Sequence, residues 1–249
     1  MRAAVLEVQK MRRLRVAPMC AVMVAAVTAL TCAGLMSDSA RAGFGDPAAQ
    51  PWETLLLSYV LVSAMTSPLL VAVLASRQVD VEHQGRGWML SQVAGLSPGR
   101  LCRAKAAVLG AVLAALVAVQ TSLVVAAGLA AGITVPLQAG IWVRYAVCLF
   151  LVDLALLCLH IWLAARVDNQ LVGMGIGLLG SFCGVFSLLM PPALARALPW
   201  GYYAVVSPVA MGEDALRVIT PGYGWLTVFL LVVAALFGAA CHRFDRTEG

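Results

Sequence analysis

The sequence predicts an all-α, polytopic membrane protein with six transmembrane helices, and three observations carry that reading. Its 249 residues are 62% hydrophobic and 12% charged, against roughly 25% charged and about 45–50% apolar in a soluble domain. Mean hydropathy is +0.92. The apolar residues gather in runs of about twenty, and at about 1.5 Å per residue such a helix crosses the roughly 30 Å hydrocarbon core.

The chain opens on a basic, amphipathic lead, in which Val5, Leu6 and Val8 alternate with Glu7, Gln9 and Lys10 before Arg12, Arg13 and Arg15. A first crossing follows at about 16–36. Ala40-Arg41-Ala42 resembles a signal-peptide cleavage site, but a signal core is about 7–15 residues long, so a retained helix is expected. The second crossing, about 54–76, contains Pro68 as a kink point. The polar stretch Arg77 to Lys105 separates it from the third, about 106–131. The fourth, about 141–165, is joined to the fifth, about 171–190, by the tight turn Arg166-Val167-Asp168-Asn169. Five glycines in the fifth permit close helix approach. The sixth crossing, about 224–241, leads into a charged tail. All six belong to one domain, 1–249. The seven cysteines form no C-x-x-C pair and read as small core residues.

Six crossings put both ends of the chain on one side of the bilayer. Segments on that side hold thirteen of the seventeen lysines and arginines; Arg41, Arg144, Arg196 and Arg217 fall opposite. The positive-inside rule assigns the basic side, both termini and Arg77–Lys105 to the cytoplasm. The +5 net charge is therefore a topology signal with some attraction to anionic lipid, and nucleic acid is excluded as a partner.

Within Arg77–Lys105, Trp88, Met89, Val93 and Leu96 recur at near-helical spacing, as in a short helix on the membrane surface that stops at Gly95. A simple interfacial hairpin with a tryptophan anchor fits the spacing equally. Ser97-Pro98 reads as the N-cap and first position of a helix continuing into the third crossing. Arg100 and Arg103 then lie one turn apart at headgroup level.

Glu82, Gly85-Arg86-Gly87-Trp88, Gly95-Leu96-Ser97-Pro98-Gly99-Arg100 and Lys105 resemble the first cytoplasmic loop of ABC-2-type exporter permeases. There an acidic residue precedes a short coupling helix, and a Ser-x-x-Arg turn leads to a lysine. Leu6-Glu7-Val8-Gln9-Lys10 resembles the family's lead, and the chain departs from it at Gly87, where many relatives carry threonine. Trp52, Pro68, Glu82-His83, Trp88 and Pro199-Trp200-Gly201-Tyr202 resemble in particular the short permeases of lantibiotic immunity and bacitracin resistance.

The resemblance implies a permease of the bacterial cytoplasmic membrane that works as a homo- or heterodimer with two copies of an ABC ATPase subunit. It implies export of an antimicrobial peptide or similar amphiphile; a drug, lipid, haem or glycan is the alternative cargo. Glu82 would contact the ATPase or brace the loop, Trp88, Met89 and Val93 would plug its cleft, and Arg100 and Arg103 would hold lipid headgroups. The sequence contains no G-x-x-x-x-G-K-[ST] loop, so the chain binds no cofactor itself, and ATP and Mg would sit on the partner.

Two further features carry possible chemistry. Asp153 lies near the middle of the fourth crossing, where a charge costs at least about 2.5–3.5 kcal/mol, and His160 shares its face about 10 Å along the axis. Arg144 points the other way. The pair is a candidate transport path, and a proton-coupled secondary transporter is the alternative function; a structural lock, or a neutral acid, reads the same aspartate equally well. The segment after the fifth crossing is too apolar for a solvated loop and too broken by Pro and Gly to span. It predicts re-entrant or interfacial helices, anchored by Trp200, Tyr202 and Tyr203. Glu213 and Asp214 join them as a candidate outer mouth. No Ser/His/Asp or metal-spaced cluster supports an enzyme.

Overall fold

A computed structural model describes residues 2–85, 87–212 and 215–247. Six helical spans among them are long and apolar enough to cross a membrane: Val16–Met36, Pro47–Gln84, Pro98–Ala131, Ala139–Arg166, Gln170–Ser187 and Tyr223–Arg246. The protein is an integral membrane protein of mainly helical build.

Helix α1 (Arg2–Arg13) meets α2 (Val16–Cys32) at a sharp elbow, where Arg15 takes a left-handed backbone, φ 51°. That conformation costs a residue with a Cβ roughly 1–2 kcal/mol. The elbow is held by Arg77, whose guanidinium donates to the Leu14 carbonyl at 3.1 Å. α2 buries Val16, Cys20, Val24, Val27 and Thr31, one stripe of its surface. A 3₁₀ turn and the short α3 (Asp38–Ala42) follow, so Ala40-Arg41-Ala42 lies in a helix.

α4 (Pro51–Gln84) and α6 (Pro98–Ala131) each have 34 residues, about 51 Å at 1.5 Å per residue. Both outrun the hydrocarbon core, and both are longer than their predicted crossings. The excess is at the terminus-bearing end. Most of the stretch predicted as a polar gap is therefore helix: the end of α4, the short α5 (Gly87–Val93) and the start of α6. α4 stays helical through Pro68. A proline provides no N–H for the carbonyl four residues back, here that of Ala64, and α8 (Gln170–Ser187) packs a glycine there. A Cβ on Gly184 would lie 2.6 Å from that oxygen. Gly177 abuts Ala72, Gly173 abuts Ser76 and Gly180 abuts Trp200, each too close for a methyl group. The glycines of α8 thus permit its close approach to α4.

α7 (Ala139–Arg166) closes the core. Trp52 and Tyr59 of α4 meet its Trp142 and Tyr145 with ring centroids 5.6–6.3 Å apart, and Trp52 Nε1 donates to the Val135 carbonyl. At the same end α9 (Pro192–Ala197) and α10 (Tyr202–Val205) are followed by a hairpin that the sequence reading lacked. Its strands β1 (Val209–Met211) and β2 (Leu216–Val218) pair antiparallel, Ala210 opposite Arg217. Gln50 extends the pairing, exchanging two hydrogen bonds with Leu216. α11 (Tyr223–Thr247) includes most of the tail predicted to follow the sixth crossing.

Candidate functional site

The terminus-bearing end is built on a charge network that joins three helices. Lys105, the lysine heading the third crossing, is fully buried on α6. An ammonium has three protons to donate, and all three find acceptors: Glu7 Oε2 of α1 at 2.8 Å, Glu82 Oε1 of α4 at 2.7 Å and the Gln78 carbonyl at 2.9 Å. Lys10 donates to Glu7 Oε1 at 2.9 Å and also to Glu82. Gln78 Nε2 adds a bond of 2.7 Å to Glu7 Oε2. Two carboxylates thus balance two ammonium groups. Glu7 is held below the usual glutamate value: burial pushes it up, but the Lys105 charge and hydrogen bonds from Lys10, Lys105 and Gln78 outweigh that. Lys10 is raised, because Glu7 and Glu82 outweigh its desolvation.

This network turns α1 over. Its apolar Val5, Leu6 and Val8 are exposed, while Glu7 is buried. An apolar face pointing away from the bundle suits a helix lying in the membrane interface. Glu82 faces inward, 1% exposed, in the position of a brace. Its second oxygen abuts the start of α5, where a Cβ on Gly87 would lie 2.1 Å from Oε2 and 2.9 Å from the Glu82 Cα. Glycine at 87 is therefore a packing requirement here.

α5 itself presents Met89, Leu90 and Val93 outward, Val93 at 85% exposure. Trp88 is half-buried, its ring 5.9 Å from His83. His83 in turn meets the Ala164 carbonyl and the Asp168 carboxylate, each at 2.9 Å. Both partners are acceptors, so both contacts are hydrogen bonds only when the ring carries two protons. Ser97 is the N-cap of α6 and Pro98 its first residue, as the sequence predicts, although the Ser97 side chain makes no capping bond to the helix. The capping bond comes from Asp245 of α11, which accepts from the Gly99 N–H at 2.8 Å and pairs with Arg103 at 3.3 Å. Arg103 is thus engaged within the chain, while Arg100 is exposed. Arg86 lies outside the described residues.

Inside the membrane Asp153 of α7 is buried, and Tyr203 of α10 donates to its Oδ1 at 2.7 Å. His160 is also buried, and its Nδ1 has no hydrogen-bond partner among the described residues. No hydrogen bond joins the two there. Arg144 is exposed on the other face. Tyr202 stacks on Phe229 of α11 at 4.0 Å, and Trp200 packs on Gly180. Glu213 and Asp214 lie outside the described residues.

Lys105, Glu7, Lys10 and Gln78, absent from the predicted site residues, form the centre of this end of the molecule. The signal for them was a lysine at the head of an apolar helix, which demands an anion, and a lone glutamate in a basic lead.

Six spans, a helix exposed at the terminus-bearing end and the charge network beneath it describe a membrane-embedded helical bundle. Residues 5–184, well over half of the chain, match the family described as ABC-2 family transporter protein, and the chain belongs to that family. It is a permease-type subunit; the family works with ABC ATPase partners. None of the curated proteins compared with the chain matches it.

Proposed function

We propose that this chain is the permease of an ATP-driven exporter, with α5 as the coupling helix that receives force from a separate ATPase subunit. One observation carries the reading: α5 holds an apolar crest of Met89, Leu90 and Val93 clear of the bundle, directly on a charge network that ties α1, α4 and α6 together. Displacement of α5 would press on Glu82 and so move three helices at once. With no nucleotide loop in the sequence, ATP and Mg belong to the partner, in two copies if the permease pairs with itself or a second permease chain. The basic side supports termini in the cytoplasm, and the sequence resemblance supports a bacterial cytoplasmic membrane. An antimicrobial peptide or similar amphiphile is the cargo class that the sequence resemblance supports.

Vesicles containing the chain, with and without its ATPase subunit, test this with a fluorescent cationic amphiphilic peptide. ATP-dependent movement only when the ATPase is present is the expected result. Full transport with no ATPase overturns the reading.

A further inference from the structure

A second feature lies at the terminus-bearing end. α7 and α11 both run toward that end, and between them is a groove of about 260 Å³. Its lining is mostly apolar, with Leu159, Trp162, Leu236 and Phe237, and includes Arg166 and Arg243, one from the last turn of α7 and one from near the end of α11. Arg166 is set in position over the Phe244 ring, 5.1 Å from its centroid. From Cys158 to Arg166 the groove follows α7 for about 12 Å, enough to seat the upper part of an acyl chain. Trp162 is partly exposed beside it, as tryptophans at the bilayer interface are.

We infer that this groove binds one anionic phospholipid, its phosphate between Arg166 and Arg243 and one acyl chain between α7 and α11. A guanidinium offers a planar fork of donors that matches phosphate oxygens. Basic pockets between helices at the cytoplasmic face suit anionic headgroups. Charge decides for this groove over a larger one. The groove of about 850 Å³ between α2 and α6 has Arg15 as its single charged lining residue, whereas here two arginines line one apolar slot. The inference rests on membrane placement alone, so it stands or falls separately from export.

The test is native mass spectrometry of the full chain in detergent, titrated with phosphatidylglycerol and, separately, phosphatidylcholine. The wild type is expected to retain phosphatidylglycerol on the order of tenfold better, given what each basic residue contributes near an anionic surface. Arg166→Gln with Arg243→Gln should abolish the preference, while Arg166→Lys with Arg243→Lys should keep part of it. Arg196→Gln, which removes an arginine over the Trp225 ring at the opposite end, should leave it unchanged. Equal retention of the two lipids by the wild type overturns the inference, even if the glutamine variant does not fold. So does an unchanged preference in the glutamine variant, or displacement of the lipid by millimolar inorganic phosphate, which would mark a simple anion site.

Discussion

Among the described residues, buried carboxyl groups lie in two places and are stabilised in opposite ways. At the terminus-bearing end, Glu7 and Glu82 are matched by Lys10 and Lys105, charge for charge. In the middle of α7, Asp153 has a neutral phenol, that of Tyr203, as its hydrogen-bonded partner. Each cluster does the same mechanical work, since each ties an element that does not cross the membrane to one that does: α1 and the approach to α5 below, α10 above. The difference follows from depth. Near the interface, a network in which Lys105 places all three of its protons offsets much of the desolvation that ion pairs suffer. Such a network adds little net stability over an apolar core and fixes the register of the helices instead. At mid-bilayer, hydrogen bonds from the neutral hydroxyls of Tyr203 and Ser67 close the contact with no basic side chain to bury.

The largest effect should come from breaking the balance. Lys105→Met leaves two buried carboxylates facing the half-buried Lys10, and losing one partner of a buried pair costs about 3–5 kcal/mol. Thermal melting in detergent should show the loss, together with release of α1 to proteolysis. Glu82→Gln with Lys105→Met should recover part of it; if the double variant is no better than the single, the network is not the source.

Asp153→Leu is the matching break above and should cost less, about 1–3 kcal/mol for a buried hydroxyl left without its acceptor. Asp153→Asn keeps an acceptor and should melt close to the wild type. The asparagine variant also tests the proton-coupled alternative: normal melting with lost, uncoupler-sensitive transport would put Asp153 on the transport path.

A smaller effect separates the clusters by pH. Glu7 is depressed, so its contribution is fully present above the ordinary glutamate value of 4.5 and is lost as pH falls through the lower folded value. Lys10 is raised, so its contribution is present below the ordinary 10.5 and is lost as pH rises through the higher folded value. The stability contributed by this network should hold level between these limits and fall at both ends, read as the difference in melting temperature between the wild type and Glu7→Gln. Glu7→Gln should flatten the acid limb; an acid limb that survives the substitution would assign it elsewhere.

The crossings were legible because burial in lipid demands twenty apolar residues in a row, and nothing soluble imitates that. What the sequence hid was pairing at a distance. Lys105 announces a need for an anion, but its partners lie 98 and 23 residues away, and no local pattern selects Glu7 over other acids. Tyr203 reads as an aromatic anchor until it is found bonded to a residue 50 positions earlier. The hairpin at Val209 to Val218 escaped because strands of three residues are too short to display alternation. Ser97 was legible as the N-cap of α6, but the bond that Asp245 adds there was not, because it depends on α11 continuing as helix past the apolar run and bringing its last turns against α6. Gly87, read as a departure from the family pattern, is explained only when the Glu82 carboxylate is seen against it.

In the proposed function, the apolar crest of α5 is the surface on which an ATPase subunit docks. Val93→Asp tests it most directly, because Val93 is almost fully exposed and its replacement should leave melting unchanged. Binding of the ATPase subunit to the purified chain is expected to fall at least about tenfold, as for a central residue of an interface, and stimulation of ATP hydrolysis should fall with it. A variant that melts like the wild type and still binds and stimulates the ATPase in full would contradict the account.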